Sequence, residues 1–413
     1  MSLPAWLRPW WPLLKRVHLL VTRLLGHVFR AVSPLLGSRG VPRRATSRAA
    51  ATAAGEPGVA LHAGRPEEPW LRPATLGEPA GHWLFAAIHE ATVPTPRVPA
   101  TTIPATFTLE IADGRLSGDY GAATTPGKVL DHETSTYFGV VDWREHPIFL
   151  RPTLGPVEHV RGTALSLTAR GTAENYYHFL YDAIGRLAVL DETLGERALD
   201  DVAAVVVPHR SGYQRQLLEL AGVSARLIQP ARGRTVRADR LLVPSNPNWA
   251  LQAPPATVDW LRKRLPPSGA VADGPRRLYI TRGTTPRTRR YVEEPALWPE
   301  LERRGFVRID PGQHSVQEQI DLFHGADVVV SPHGAALTNL TFARPGVRVL
   351  EMFASTYVHL GLWAICQAVG ADYRYLVAEP AAGPDGPNQG VLDDVSIPPA
   401  RVLASVDALL ADL

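Results

Sequence analysis

The hydrophobic positions fall into two sets of alternating strand-like and helix-like runs, separated by the Pro/Gly-containing stretch Pro266–Pro275. In the first set Leu165–Leu167 reads as a short strand, and Tyr176–Leu190 follows with helical spacing. Val202–Val207 is a continuous apolar run between Asp201 and Pro208, the mark of a strand buried on both faces. Tyr213–Ala221 reads as a helix, and Leu227–Ile228 and Arg240–Val243 as further short strands. The second set predicts strands at Arg277–Thr281, Phe306–Ile309, Asp327–Ser331 and Arg348–Phe353. Between and after them lie helices at Pro295–Arg304, Val316–His324, Ala336–Phe342 and Tyr357–Val369. Such alternation argues for parallel sheets, and two facing Rossmann-like halves would hold a ligand between them.

Upstream the pattern is different. From His82 to about Val160 short alternating runs are separated by turn residues, and Thr106–Ile111 leads into Ala112-Asp113-Gly114-Arg115 like a strand entering a tight turn. A small β-rich region is expected there. Residues 38–80 are rich in Ala, Arg, Pro and Gly without a sustained period, and read as a linker. Pro12–Val32 is Leu/Val-rich but interrupted by Lys15, Arg16, Arg23 and Arg30, which with His27 occupy about a third of a helical circumference. No uncharged run approaches the ~20 residues that span a bilayer. Charges also cut the would-be apolar centre of a signal peptide, although Ala49–Ala54 offers small residues. The preferred reading is a basic amphipathic helix lying on an anionic membrane face; the alternative is a helix packed on the protein's own body or on a partner.

Composition narrows the classes. The net charge is only +3, and three of the 43 basic residues are lysines (Lys15, Lys128, Lys263), so the arginine excess reads first as coding bias. No basic tract with interleaved aromatics follows the N-terminus, which argues against nucleic acid. The single cysteine, Cys366, excludes an intrachain disulfide and a thiolate zinc cluster; it reads as a buried thiol and suits a reducing, cytoplasmic compartment.

Two segments carry candidate chemistry. In Val328–Asn339 an apolar strand ends, a turn carries His333 and Gly334, and a helix begins at Ala335–Ala336. Unpaired amides at a helix start suit a diphosphate, Gly334 admits close backbone approach, and His333, Thr338 and Asn339 can donate to phosphate oxygens. Glu351 closes the next strand, where a carboxylate can accept from ribose hydroxyls. Arg282 follows a strand directly and can meet diphosphate charge; Arg287, Arg289 and Arg290 add a cluster that is either a phosphate clamp or a solvated charge run. The other segment is Asn175–Asp182. On a helix, His178 and Asp182 share a face with Asn175 one turn before. Asp182 or His178 can act as the base for an acceptor hydroxyl, or Asp182 can orient His178. Arg186 can hold Asp182 in a salt bridge, and Asn175 can simply cap the helix.

These segments resemble glycosyltransferase family 61, which includes bacterial capsular-polysaccharide-type enzymes and eukaryotic xylosyl- and N-acetylglucosaminyl-transferases. The matching pieces are Asn175-x-x-His178-x-x-x-Asp182, Tyr279-Ile280-Thr281-Arg282, Glu293-Glu294, Glu318-Gln319-Ile320, Pro332–Asn339, Pro345-Gly346 and Glu351. The chain departs from the family at Glu293, where Asn is common, and at Ala336, where Gly is. The resemblance covers roughly residues 160–375. It implies an α/β, GT-B-like fold, a nucleotide-sugar donor (often a UDP-sugar), and inversion at the anomeric carbon. The acceptor is expected to be a glycan or other hydroxyl, and a lipid-linked acceptor would suit the N-terminal helix. No added cofactor is expected. The chain has no Asp-x-Asp for a metal of the GT-A kind, and the resemblance leaves open whether a metal assists. The expected organisation is a basic helix at 1–37, a linker at 38–80, a β-rich region at 81–160, an acceptor-side lobe at 161–265, a nucleotide-sugar lobe at 276–380, and a loop and helix at 381–413. A peripheral place on the inner face of the plasma membrane follows from the N-terminal helix. A non-catalytic sugar-nucleotide or glycan-binding protein is the alternative. A hydrolase built on the Asn/His/Asp helix is disfavoured, since no Gly-x-Ser-x-Gly elbow or Cys/His nucleophile pair is evident.

Overall fold

The computed structural model describes residues 10–70, 102–137, 140, 142–169, 171–248, 250–269, 274–284, 288–355, 357–358, 360–379 and 392–411. Arg287 and much of the expected loop after residue 380 lie outside them. The chain divides into two compact units, one built mainly from residues 3–68 and 104–247, the other from 69–103 and 248–413.

The first unit opens with helix α1 (Trp11–Val32). Then come β1 (Arg44–Thr46), helix α2 (Ala49–Gly55) and β2 (Val59–Ala63). The short strands β3 (Glu68–Pro69) and β4 (Thr102–Ile103) pair with one another outside the main sheet, β4 belonging to the second unit. The chain continues through β5 (Phe107–Ala112), β6 (Arg115–Ser117), β7 (Ala122–Thr124), β8 (Val129–Asp131), β9 (Val157–Ser166), β10 (Val202–Val206), β11 (Arg226–Ile228) and β12 (Thr235–Pro244). Strands β12, β9, β10 and β11 lie side by side and parallel, as the βαβ pattern requires.

Two expectations fail here. The β-rich stretch is not a separate region: β5 and β6 both pair antiparallel with β12, so its strands extend the same sheet. Residues 38–70 are not a bare linker either. Strand β1 pairs with β8 and β2 with β5, while buried Glu56 accepts from Thr125 and buried Thr52 bonds Asp131. Pairing partners 44 to 85 residues away supply what the local composition lacks.

Helix α1 presents three faces. Thr22, Gly26 and Ser33 turn to the unit, where Gly26 meets the Phe149 side chain and the Arg30 guanidinium sits over the Trp143 ring. Arg23 pairs with Glu145. Leu13, Val17, Leu20, Val21, Leu24 and Val28 are exposed, within an arc of about 100° at 100° per residue.

The second unit is a five-stranded parallel sheet with helices on both faces. Its strands are β13 (Arg277–Ile280), β14 (Val307–Ile309), β15 (Val328–Pro332), β16 (Arg348–Phe353) and β17 (Asp372–Val377), in the spatial order β14-β13-β15-β16-β17. Four were expected; β17 was not, and the helix before it begins at Gly361. Leu297 and Leu301 of helix Glu294–Arg303 and Val402, Val406 and Leu409 of helix Pro399–Leu410 pack with Tyr279, Val330, Leu350 and Met352 in one core. Alternate residues such as Val349, Glu351 and Phe353 point to the opposite face. Cys366 is fully buried in helix Gly361–Val369, and burial holds its thiol well above the ordinary range.

Candidate functional site

In this sheet the chain runs from β13 outward to β14 and then back to β15 on the other side of β13. An open parallel sheet binds ligands beyond its strand C-termini at such a reversal. A cavity of about 250 Å³ lies there, lined by Thr281, Arg282, Gly283, Asp310, Pro311, Ser331, Pro332, Gly334 and Ala336.

The end of β13 is held from one face. Tyr279 and Thr281, two apart, both donate to the buried carboxylate of Glu294, at 3.0 and 2.9 Å. Arg308 pairs with the same carboxylate. Arg282 emerges next, and its Nε donates to Thr288 O at 2.5 Å. Burial, with Arg289 adding to it, lowers the Arg282 pKa to about 10, so it remains a cation at neutral pH. The loop after it is fixed by Asp394, which accepts from the amides of Thr288 and Arg290 and from Arg290 Nε. Arg290 is thus a structural ion pair. Arg289 is the clamp-like member: its guanidinium sits 5.6 Å from the Tyr357 ring centre, and its φ of 65° is a left-handed conformation that a non-glycine residue adopts at a cost.

His333 closes β15. Its amide donates to Met352 O, its ring stacks on Phe353 and meets the edge of Tyr357. Nδ1 lies 2.5 Å from Glu351 Oε1, and Tyr373 OH donates to the other Glu351 oxygen at 2.7 Å. Burial pushes the Glu351 pKa up to about 8 and holds His333 well below its usual range, with Arg289 and Arg282 reinforcing the latter. Both shifts favour the neutral pair, a carboxylic acid facing Nδ1 of a neutral imidazole whose ring proton is on Nε2.

This arrangement corrects three expectations. Glu351 is fully buried and engaged by His333 and Tyr373, so it positions the imidazole and is not available to a ribose. Its strand runs on to Phe353, and Glu351 faces the interior. Thr338 and Asn339 are also fully buried; Asn339 Nδ2 donates to Gln319 Oε1 at 2.9 Å and to Ala336 O. Ala335–Phe342 is a 3-10 helix, whose first bond runs from Leu337 N to Gly334 O, so the amides of Ala335 and Ala336 precede it. Gly334 has an extended backbone that any residue can adopt; its lack of Cβ matters because a Cβ there would collide with Arg282 Nη1. The space that sequence reasoning left for a ligand is occupied by the cation that would hold it.

The second constellation belongs to the first unit. Asn175 caps the helix, accepting from His178 N at 3.3 Å. His178 Nδ1 lies 2.7 Å from Asp182 Oδ2, and Asp182 is buried. With Nδ1–H donating to the carboxylate, the imidazole lone pair falls on Nε2. From Phe179 to Ile184 the helix widens to a π-helix, a distortion found often at functional sites, before continuing as Gly185–Leu194. Tyr177 stacks on Tyr181 beside the histidine, with ring centres 5.1 Å apart. Arg186 is fully buried, and desolvation lowers its pKa to about 10 although Asp182 opposes the shift. Among the described residues its Nε and Nη1 have no hydrogen-bond partner, so the expected salt bridge does not engage those atoms.

Sequence reasoning singled out neither Tyr373 nor Tyr357, and left Arg289 undecided. Alternating Tyr373 and Tyr375 in Asp372–Val377 was the available signal for a tyrosine facing the strand next door. Among the described residues no group of three or more His, Cys, Asp or Glu side chains is placed to hold a metal ion. Residues 176–350 match the family model described as Glycosyltransferase 61, a span that holds His178, Asp182, Arg282 and His333. No curated protein matches the chain.

Proposed function

Over residues 176–350 this chain belongs to glycosyltransferase family 61, which implies a glycosyltransferase, and from that premise we propose an inverting enzyme that takes a sugar from a nucleoside-diphosphate donor, most simply a UDP-sugar. The acceptor is a hydroxyl on a glycan or lipid-linked glycan of polysaccharide or cell-surface glycan synthesis. In this reading the fold is of the GT-B kind, the second unit holds the diphosphate and the first supplies the acceptor base. The acceptor oxygen attacks the anomeric carbon as the bond to the diphosphate oxygen breaks, a single displacement that inverts the centre. Nε2 of His178 takes the hydroxyl proton, and Asp182 stabilises the imidazolium that forms. The charge that grows on the leaving diphosphate falls on Arg282, Arg289, the Nε2–H of His333 and the amides of Ala335 and Ala336. Asn175 and Arg186 hold the acceptor-side helix in place.

The observation that carries the reading is the switch-point cavity lined by the Arg282 cation, whose Nη1 lies against Gly334, with Arg289 and the buried His333 in the neighbouring segments. Two cations beside a neutral acid–imidazole pair make an anion site. The test is thermal unfolding of the full chain with UDP, GDP and the corresponding nucleosides. A diphosphate-dependent rise of several degrees, absent with the nucleosides, is expected. Stabilisation together with slow donor hydrolysis supports an enzyme, stabilisation without turnover of any donor supports the binding-protein alternative, and no stabilisation by any diphosphate ends the reading.

We further infer that α1 lies on the cytoplasmic face of an anionic membrane. Its outward arc of Leu and Val is flanked by Arg16 and His27, while its inner face is used by the unit. The stretch Arg16–Arg39 has the length and apolar content to cross a bilayer. Docking of Gly26 and Arg30 against Phe149 and Trp143 favours the surface-lying mode. Vesicles containing about a third anionic lipid should retain the protein, and high salt or carbonate should release it. Retention through carbonate, or no retention at all, counts against this placement.

A further inference from the structure

Among the described residues that line the cavity, one carries a carboxylate. Asp310 follows β14 directly, at the C-terminal end of the strand beside β13, and lines the cavity with Pro311. Its Oδ1 accepts from Gly312 N at 3.0 Å and so caps the short turn Pro311–Gln313. Oδ2 takes no hydrogen-bond partner among the described residues. The cavity is therefore polar in two opposite senses: Arg282 and the 3-10 helix start at one side, a carboxylate at the other.

A second observation concerns the spacing between those sides. Gln319 Nε2 donates to Pro311 O at 2.9 Å and to His314 O at 3.1 Å. Its Oε1 accepts from Asn339, which sits on the 3-10 helix that begins beside Gly334. One buried side chain thus ties the carboxylate wall to the helix that forms the cationic wall. The motif residue Gln319 gains a physical purpose as a spacer, and Asn339, expected at the ligand, works one layer behind it.

Resting on the diphosphate site proposed above, we propose that Asp310 reads the ribose of the donor nucleotide, its Oδ2 accepting from the 2′- and 3′-hydroxyls. A carboxylate at the end of the strand next to the phosphate-binding strand is how dinucleotide sites in this kind of sheet hold a ribose. A nucleoside diphosphate has the matching polarity, anionic at one end and with paired hydroxyl donors next to it.

The test compares the full-length protein with Asp310→Asn, which keeps the oxygen that caps Gly312 but turns an N–H toward the ligand. Binding of UDP and GDP is measured against their 2′-deoxy and 3′-deoxy forms. A hydrogen bond to a charged acceptor should make the wild-type protein favour the ribonucleotide about tenfold or more, and Asp310→Asn should bring that preference to about twofold or less. Asp310→Glu, which restores the carboxylate, should recover part of it. An undiminished preference in Asp310→Asn, with an unchanged unfolding temperature, overturns the assignment while leaving the diphosphate site intact. A wild-type protein that binds no diphosphate overturns both, and equal binding of ribo and deoxy forms by the wild type overturns the ribose contact alone.

Discussion

An Arg282→Ala variant is expected to consume its donor with kcat/KM lowered about 10²- to 10³-fold, the effect of removing one preorganised charge partner from a leaving group. The geometry puts the loss in the transition state. Arg282 is restrained by Thr288 O, lies where a Gly334 side chain would otherwise be, and borders the cavity. Its guanidinium need not reorganise when charge develops beside it. The anchor depends on Nε donating to Thr288 O while Nη1 lies against Gly334, a geometry that the lysine ammonium does not reproduce. Arg282→Lys should accordingly recover no more than about a tenth of the lost activity. Glu351→Gln is the informative control. The amide N–H can donate to His333 Nδ1 as the neutral carboxylic acid does, so near neutral pH this variant should stay close to wild type. As pH rises through about 8 the wild-type Glu351 ionises, Nδ1 becomes the donor, and Nε2 loses its proton to the other tautomer. Diphosphate binding by the wild type should weaken there and that by Glu351→Gln should not. Full activity in Arg282→Ala would place the leaving-group site elsewhere.

The depth to which the sequence could be read varied with the range of the interactions. Val202–Val206 and Val328–Pro332 were visible because a strand buried on both faces needs an unbroken apolar run, a property of the segment itself. The positions of Arg282, His333 and Gly334 just past strand ends were visible because each follows such a run, and Arg282 and Gly334 line the cavity. Glu351 was misassigned for want of a non-local fact: its neighbour β17 places Tyr373 within hydrogen-bonding reach of it, and β17 was not expected. Residues 44–63 looked like a linker because short strands gain stability from partners elsewhere in the sheet, not from their own composition. Thr338 and Asn339 stood one turn after the phosphate-binding start, where an α-helix would have kept them near its mouth. The segment is a 3-10 helix, and both side chains are buried. The π-helical turn at Phe179–Ile184 is likewise silent in the residue pattern, since it retains apolar residues at plausible helical positions.

The acceptor side makes the other large prediction. Asp182→Asn should lower kcat about 10³- to 10⁴-fold while leaving nucleoside-diphosphate binding within about twofold of wild type. The reason is tautomeric. Asp182 accepts from His178 Nδ1 and so puts the basic lone pair on Nε2. An asparagine can present its N–H to Nδ1, which moves the ring proton to Nε2 and removes the base without removing a side chain. His178→Ala should lose a similar amount, and the double variant little more, because the two residues act as one device. The split between turnover and binding separates a catalytic from a structural role. A protein merely loosened by the loss of a buried hydrogen bond would show a lower unfolding temperature and weaker diphosphate binding together. The proposed dyad lies in the first unit and the proposed diphosphate site in the second, so turnover and nucleotide binding report on different units. Retention of wild-type kcat by Asp182→Asn would mean that the acceptor hydroxyl gives its proton to another group.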